Sequence, residues 1–151
     1  MKHKHTYLAL LLSAATLLTF LAGCSKKPPM PPRVYTTAPT GASDINTLAE
    51  RFKKASATHD ADAAMQMFVW QPADKAGLEC QRFWWGLLSK ICVTPPEAIE
   101  LLPPQTGSDA KTALPVIGLL RVTSNKTNYD LLIGKNENGF YITPPLWPET
   151  K

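Results

Sequence analysis

The chain has 151 residues, with 16 lysines and arginines against 12 acidic residues, for a formal net charge of +4 at pH 7. Two of the lysines and no acidic residue lie in the first 23 positions, so the rest of the chain carries +4 minus 2, or +2. This nearly neutral charge gives no electrostatic case for nucleic acid, which usually binds a clustered basic face. We expect no nucleic acid among the partners.

The N-terminus has the three parts of a secretory leader. Lys2 and Lys4 give it a basic start. Residues 7–21 are mainly leucine and alanine, a run shorter than the roughly 20 residues that a membrane-spanning helix needs. The small residues Ala22 and Gly23 follow. The pattern predicts export with this segment as the leader.

The residues Leu21-Ala22-Gly23-Cys24 end this run and resemble the lipobox of bacterial lipoproteins. The resemblance implies that residues 1–23 are a signal peptide, cut between Gly23 and Cys24, and that Cys24 carries lipid. Two or three acyl chains would hold the protein firmly on a membrane. Because Ser25 stands where Gram-negative inner-membrane lipoproteins usually have Asp, the resemblance also implies the outer membrane. We expect the periplasmic face of that membrane, with the cell surface as the alternative. The alternative is an ordinary secretory leader that contains a cysteine.

Residues 24–42 are predicted to be a tether between the lipidated cysteine and a folded domain. Their prolines favour an extended polyproline II conformation, which rises about 3.1 Å per residue. Such a passive spacer would hold the domain up to ~50 Å from the membrane. A proline-rich recognition motif is the alternative. The prolines are Pro28, Pro29, Pro31, Pro32 and Pro39.

Residues 43–151 have the length of a single domain, and the pattern predicts three helices followed by strands. Asp and Ser residues that can accept amide hydrogen bonds are placed to begin the helices, and Pro95-Pro96 ends the third. The predicted starts are Ser43 or Asp44, Asp60 and Asp74. The predicted apolar face of the third helix contains Leu78, Phe83, Leu87, Leu88 and Ile91.

Four strands are predicted at residues 98–102, 114–122, 129–133 and 140–143. The polar links 124–127 and 135–139 between the later strands are typical of hairpins. Gly118 indicates a bulge or a close backbone approach. Together these elements predict an α+β domain with three helices packed on one face of a four-stranded antiparallel meander.

Cys80 and Cys92 are the two cysteines left if Cys24 is lipidated, and cysteines in an oxidising compartment normally pair. Both lie in the predicted third helix, where twelve residues span ~18 Å and a disulfide allows only about 4.4–6.8 Å between Cα atoms. We expect the disulfide, with the helix broken at Gly86. Free thiols in an unbroken helix are the alternative.

His59 is the one histidine outside the leader, so an Asp–His general base would depend on it together with Asp60 or Asp62. The simpler interpretation is an exposed turn residue beside two carboxylates at the start of a helix. The spacing of cysteines and histidines also fits no known zinc pattern. We therefore predict no catalytic residue, no metal and no cofactor.

The tryptophans are the remaining conspicuous feature, and they suggest a pocket lining or a partner surface. Core packing with one residue at the rim is the plainer interpretation. Since consecutive residues point in different directions on a helix, Trp84 and Trp85 cannot both be buried to the same extent. The candidate residues are Trp70, Trp84, Trp85 and Trp147.

In the order of its elements the domain resembles NTF2-like and cystatin-like folds, and residues 63–70 and 115–122 resemble small bacterial proteins of unknown activity. The resemblance implies a curved sheet that wraps the helices and leaves a cone between them. Enzymes of the NTF2-like class place an Asp–His pair in this cone, and no equivalent pair is evident here. The sequence favours an envelope binding or accessory module that contacts another envelope component or an apolar ligand. The alternative is a small hydrolase or isomerase that uses the cone.

Overall fold

The computed structural model describes residues 28–37, 40–105 and 110–148. Three helices precede a four-stranded antiparallel sheet, which confirms the predicted α+β fold. The helices are α1 (Ile45–Ala57), α2 (Ala61–Met65) and α3 (Lys75–Val93). The strands are β1 (Ala98–Leu102), β2 (Val116–Ser124), β3 (Thr127–Asn136) and β4 (Gly139–Ile142).

Each helix begins where an aspartate supplies an N-cap. The carboxylates of Asp44, Asp60 and Asp74 each accept a hydrogen bond from the amide three residues later, at 2.8 Å. A cap of this kind stabilises a helix by about 1 kcal/mol, because it satisfies an amide that has no partner within the helix. The predicted helix starts are therefore confirmed, with Asp44 as the first cap.

The strands form a meander in the order β1-β2-β3-β4, with every neighbouring pair antiparallel. Asn125 and Lys126 join β2 to β3 with φ angles of 50° and 60°, the left-handed conformation that a two-residue hairpin turn requires. Gly139 begins β4 with a φ of 127°, a value that favours glycine. Both predicted hairpins are confirmed, although β3 extends beyond its predicted bounds at both ends.

Gly118 lies at an irregularity in the pairing of β2 with β3, where the register shifts between Val116 and Gly118. A Cβ atom added there would lie 3.2 Å from the Cδ1 atom of Ile45 in α1. The bulge and the close approach that the glycine indicated are thus both present.

The core lies between the helices and one face of the sheet. Alternate residues of β2 and β3 point toward the helices and are buried, as the period of two in a strand requires. The outer edge of β4 is covered as well, because Val69 and Ala42 donate backbone hydrogen bonds to it. The largest buried side chains include Leu48, Phe52, Met65, Phe68, Leu88, Leu120, Leu131, Ile133, Tyr141 and Ile142.

Residues 28–37, which we call the strap, lie against the domain instead of forming a free spacer. Tyr35 is only 4% exposed. Its amide donates to Oε1 of Gln81 in α3, and Nε2 of Gln81 donates to its carbonyl oxygen, both at 2.9 Å. The expectation of a passive spacer throughout 24–42 is wrong here, because one aromatic side chain and one buried amide dock the proline-rich segment.

A polar cluster at the start of α2 holds the same segment. Arg33 donates two hydrogen bonds to the Asp62 carboxylate, at 3.0 and 2.7 Å, and the Tyr35 hydroxyl donates a third at 2.6 Å. Burial opposes ionisation of Asp62, but these hydrogen bonds outweigh it and hold the pKa of Asp62 below its usual value. The carboxylate therefore stays charged and paired near neutral pH.

We expect Gln81→Leu to release the strap. The substitution leaves the amide and the carbonyl group of Tyr35 without partners, and burying two such groups costs about 3 kcal/mol. Hydrogen exchange measures this directly, since the Tyr35 amide should lose its protection while the amides of β3 keep theirs. Arg33→Gln is the control: it removes an exposed ion pair worth less than ~1 kcal/mol. Unchanged protection of Tyr35 in Gln81→Leu would contradict this account.

Candidate functional site

Two of the four candidate tryptophans lie in the core. Trp84 is only 8% exposed, and Trp70 is buried to a similar extent. The ring of Phe68 lies between them, stacked on Trp70 with centroids 4.9 Å apart and tilted against Trp84 at 5.3 Å. These two tryptophans stabilise the packing of α3 against the segment after α2, so they do not line a pocket.

The two buried indoles differ in their hydrogen bonding. Nε1 of Trp70 donates to the carbonyl oxygen of Met65 at 3.1 Å. Nε1 of Trp84 finds no acceptor within the part of the chain that the structure describes. A buried donor without a partner costs about 1–3 kcal/mol, so packing of the Trp84 ring must outweigh this loss.

Trp85 points away from its buried neighbour and is half-buried at the margin of the core. The prediction that adjacent tryptophans of this helix differ in burial is confirmed. Three large aromatic residues in a row, Phe83 to Trp85, cover about 200° of the helix circumference. Since one helix face cannot bury all of them, part of this aromatic area reaches the surface.

An exposed aromatic surface forms where the C-terminal segment crosses α3. Phe83 is 45% exposed, and its ring centroid lies 5.8 Å from that of Trp147. Trp147 itself is half-buried against the core, and Leu146, the residue before it, is 41% exposed. Hydrogen bonds hold this segment, since the Trp147 amide donates to Oε1 of Gln71 at 2.9 Å. We call Phe83, Leu146 and Trp147 the aromatic surface.

The composition of this surface corrects and extends the sequence prediction. Phe83 was assigned to the buried face of the third helix, but it lies at the margin, where the core takes up Trp84 instead. Trp147 was a candidate and does belong to the surface. Leu146 was not a candidate, because a single leucine after two prolines carries no signal of its position.

The strap begins next to the aromatic surface. A Cβ atom added to Gly86 would lie 2.6 Å from the Cβ atom of Pro28, so the glycine leaves room for the strap to cross α3. Gly86 follows Phe83 by one helical turn, which places the two residues on the same side of the helix. The start of the strap and the aromatic surface are therefore neighbours.

The expected disulfide is wrong, because Cys80 and Cys92 are both free thiols in one uninterrupted helix. Their Cα atoms are ~18 Å apart at 1.5 Å per residue, far beyond disulfide reach. Gly86 does not break the helix, since glycine costs a helix interior only about 1 kcal/mol. Burial raises the pKa of the Cys80 thiol to about 12. Burial also raises the pKa of Cys92.

His59 has a structural role and does not form an acid–base pair with its neighbours. Its backbone is left-handed, with a φ of 57°, and its ring Nδ1 donates to the carbonyl oxygen of Cys92 at the end of α3. Asp60 caps α2, and Asp62 binds the strap. Within the described residues, no three His, Cys, Asp or Glu side chains lie close enough together to hold a metal ion.

A cleft of about 340 Å³ lies on the sheet face opposite the helices. Leu119 and Leu132, which are partners in the β2–β3 register, form part of its floor. Asp130 is the one titratable group among its described lining residues, and Arg121 holds it in a bidentate pair at 2.8 and 2.9 Å. This ion pair lowers the pKa of Asp130, so its carboxylate is poorly suited to take up a proton.

No protein-family model, characterised protein or solved structure matches this chain. The resemblances to lipoproteins and to NTF2-like folds therefore remain predictions. No helix among residues 28–37, 40–105 and 110–148 combines the length and the apolar character needed to cross a bilayer.

The two thiols are expected to resist alkylation in the native protein at pH 8. Burial and a raised pKa keep them protonated and inaccessible, and only the thiolate is a nucleophile. In denaturant without reductant, both should react with iodoacetamide, as intact mass spectrometry would show. A denatured protein that gains no label would mean that the cysteines are paired after all.

Trp70→Phe is expected to destabilise the domain by about 1 kcal/mol more than Trp84→Phe. Both substitutions remove the same ring volume from the core, but only the first also removes a hydrogen bond. Urea unfolding, monitored by circular dichroism, gives the free energy of unfolding of each variant. Each variant is the control for the other. Equal losses of unfolding free energy would indicate that Nε1 of Trp84 has a hydrogen-bond acceptor after all.

Proposed function

We propose that this protein is an envelope lipoprotein, anchored to a membrane by lipid on Cys24. The observation that carries the proposal is the order of features at the N-terminus: a basic start, an apolar run and Leu21-Ala22-Gly23-Cys24. These residues lie outside those that the structure describes. With Ser25 after the cysteine, we assign the protein to the outer membrane of a Gram-negative envelope.

We infer further that the domain is a binding or accessory module, which contacts another envelope component or an apolar ligand. The aromatic surface supports this inference, because an exposed aromatic side chain such as Phe83, in contact with a half-buried indole, is typical of contact sites. It also lies beside the start of the strap, and so on the side of the domain nearest to the proposed anchor.

The alternative of a small hydrolase or isomerase has weaker support. It needs polar groups that converge in a pocket between the helices and the sheet. That space is occupied by core side chains such as Phe52, Leu120 and Ile133. His59 bonds to the end of α3, and the carboxylate in the outer cleft is held by Arg121.

Replacement of Cys24 tests the anchor. In cells given a labelled fatty acid, Cys24→Ala should lose all acyl label and keep its leader, because the modified thiol is the substrate for cleavage. Mass spectrometry and a shift in electrophoretic mobility report both effects. Cys80→Ala is the matched control and should be labelled and cleaved normally. Normal labelling of Cys24→Ala would rule out the lipoprotein assignment.

A further inference from the structure

We propose that the aromatic surface is a membrane-contact face, which lies on the lipid leaflet that holds Cys24. This inference rests on the proposed function, because it requires lipid at Cys24. It goes beyond that function by naming the partner of the surface as the leaflet itself. It also replaces a domain held at the end of a long spacer with one that lies directly on the membrane.

The length of chain between the lipid and the domain carries the argument. Only three residues, 25–27, separate Cys24 from Pro28, and the four steps between their Cα atoms span at most ~14 Å when the chain is fully extended. Pro28 packs on Gly86, one helical turn from Phe83. The anchor can therefore lie no farther than ~14 Å from Pro28, and the aromatic surface begins one helical turn from there, which leaves little room between this surface and the leaflet.

The strap also limits how the domain can turn about its anchor. Tyr35 is held through its backbone by Gln81 and through its hydroxyl by Asp62, while Arg33 adds the bidentate pair with Asp62. Because these contacts fix the strap on α3 and α2, the anchor emerges at a defined side of the domain. That side is the one that carries Phe83.

The side chains on this face have the chemistry of a membrane interface. Aromatic rings, and indoles in particular, favour the boundary between lipid headgroups and acyl chains, which suits Phe83 and Trp147. Burial of such side chains away from water contributes ~25 cal/mol per Å² of apolar surface.

Charges near this face favour an anionic leaflet. Lys26 and Lys27 precede the strap, and Lys90 is exposed one helical turn beyond Gly86. A lysine close to an anionic surface contributes about 1 kcal/mol. Glu79 lies one turn before Phe83, but it is paired with Arg82 at 3.2 Å, which reduces its repulsion of the headgroups.

The lipid leaflet is favoured over a protein partner because the chain itself brings the surface to the membrane. A protein partner would have to displace the leaflet from this face. The short segment between Cys24 and Pro28 keeps the face close to the anchor. A second copy of the chain would face the same obstacle, since its own anchor holds it in the same leaflet.

Paramagnetic relaxation tests the proposal on the mature lipidated protein. The protein is placed in nanodiscs of phosphatidylethanolamine and phosphatidylglycerol that contain a lipid with a nitroxide on its headgroup. We expect the indole proton of Trp147 to relax at least threefold faster than the amide proton of Lys126. Lys126 is a suitable reference, because its amide bonds to Glu97, beyond the far end of α3.

A pair of variants links the effect to the surface. Phe83→Ser should reduce the relaxation of Trp147 by at least half, because it removes apolar area from the contact face. Val93→Ser is the matched control, an exposed apolar residue of the same helix about 15 Å from Phe83, and it should have no effect. Unchanged amide shifts in the sheet show that both variants fold.

Three outcomes would overturn the proposal, and they are distinguishable. If the intact mass shows lipid but Trp147 and Lys126 relax equally, the membrane face is wrong while the lipoprotein assignment stands. If the mass shows no lipid, both fail. If a photo-crosslinking amino acid at position 83 captures a protein or a second copy in intact cells, and Val93 as the control position does not, the surface is a protein interface.

Discussion

The hydrogen bonds between the side-chain amide of Gln81 and the backbone of Tyr35 hold the strap on the domain. A buried amide needs partners for both its oxygen and its nitrogen, and Tyr35 supplies one of each at 2.9 Å. Without Gln81, burial of Tyr35 would leave two backbone groups unsatisfied. With it, a proline-rich segment becomes part of the fold and sets the place where the N-terminal segment joins the domain.

One helix, α3, carries most of the features that bear on function. Gln81 holds the strap, Trp84 packs into the aromatic core, and Phe83 reaches the surface. Gly86 leaves room for Pro28. These roles can coexist within six residues because successive side chains of a helix point about 100° apart. A helix surrounded by large side chains must expose some of them unless other elements enclose it, and here the exposed part lies beside the strap.

The chemistry of the described residues favours contact over catalysis. The His59 ring and the carboxylates of Asp60, Asp62 and Asp130 each have a structural partner, so none of them is placed to exchange protons with a substrate. The thiols of Cys80 and Cys92 are buried and protonated. The surface does carry apolar area near the proposed lipid anchor, and this area supports the contact module and the membrane-contact face, whereas the lipoprotein assignment rests on the N-terminal sequence.

The sequence by itself determined those features that depend on neighbours a few residues apart. The aspartate caps of the helices, the hairpin turn at Asn125 and the bulge at Gly118 have local causes, and each was predicted. Features that join distant residues were missed. Tyr35 and Gln81 are 46 positions apart, and their pairing left no pattern in the sequence. The exposure of Phe83 was also decided only by tertiary packing, whereas the unbroken helix between Cys80 and Cys92 agrees with the local helical pattern. The physical reason is that caps and turns satisfy backbone groups within one turn of chain, whereas burial depends on which distant surface a side chain meets.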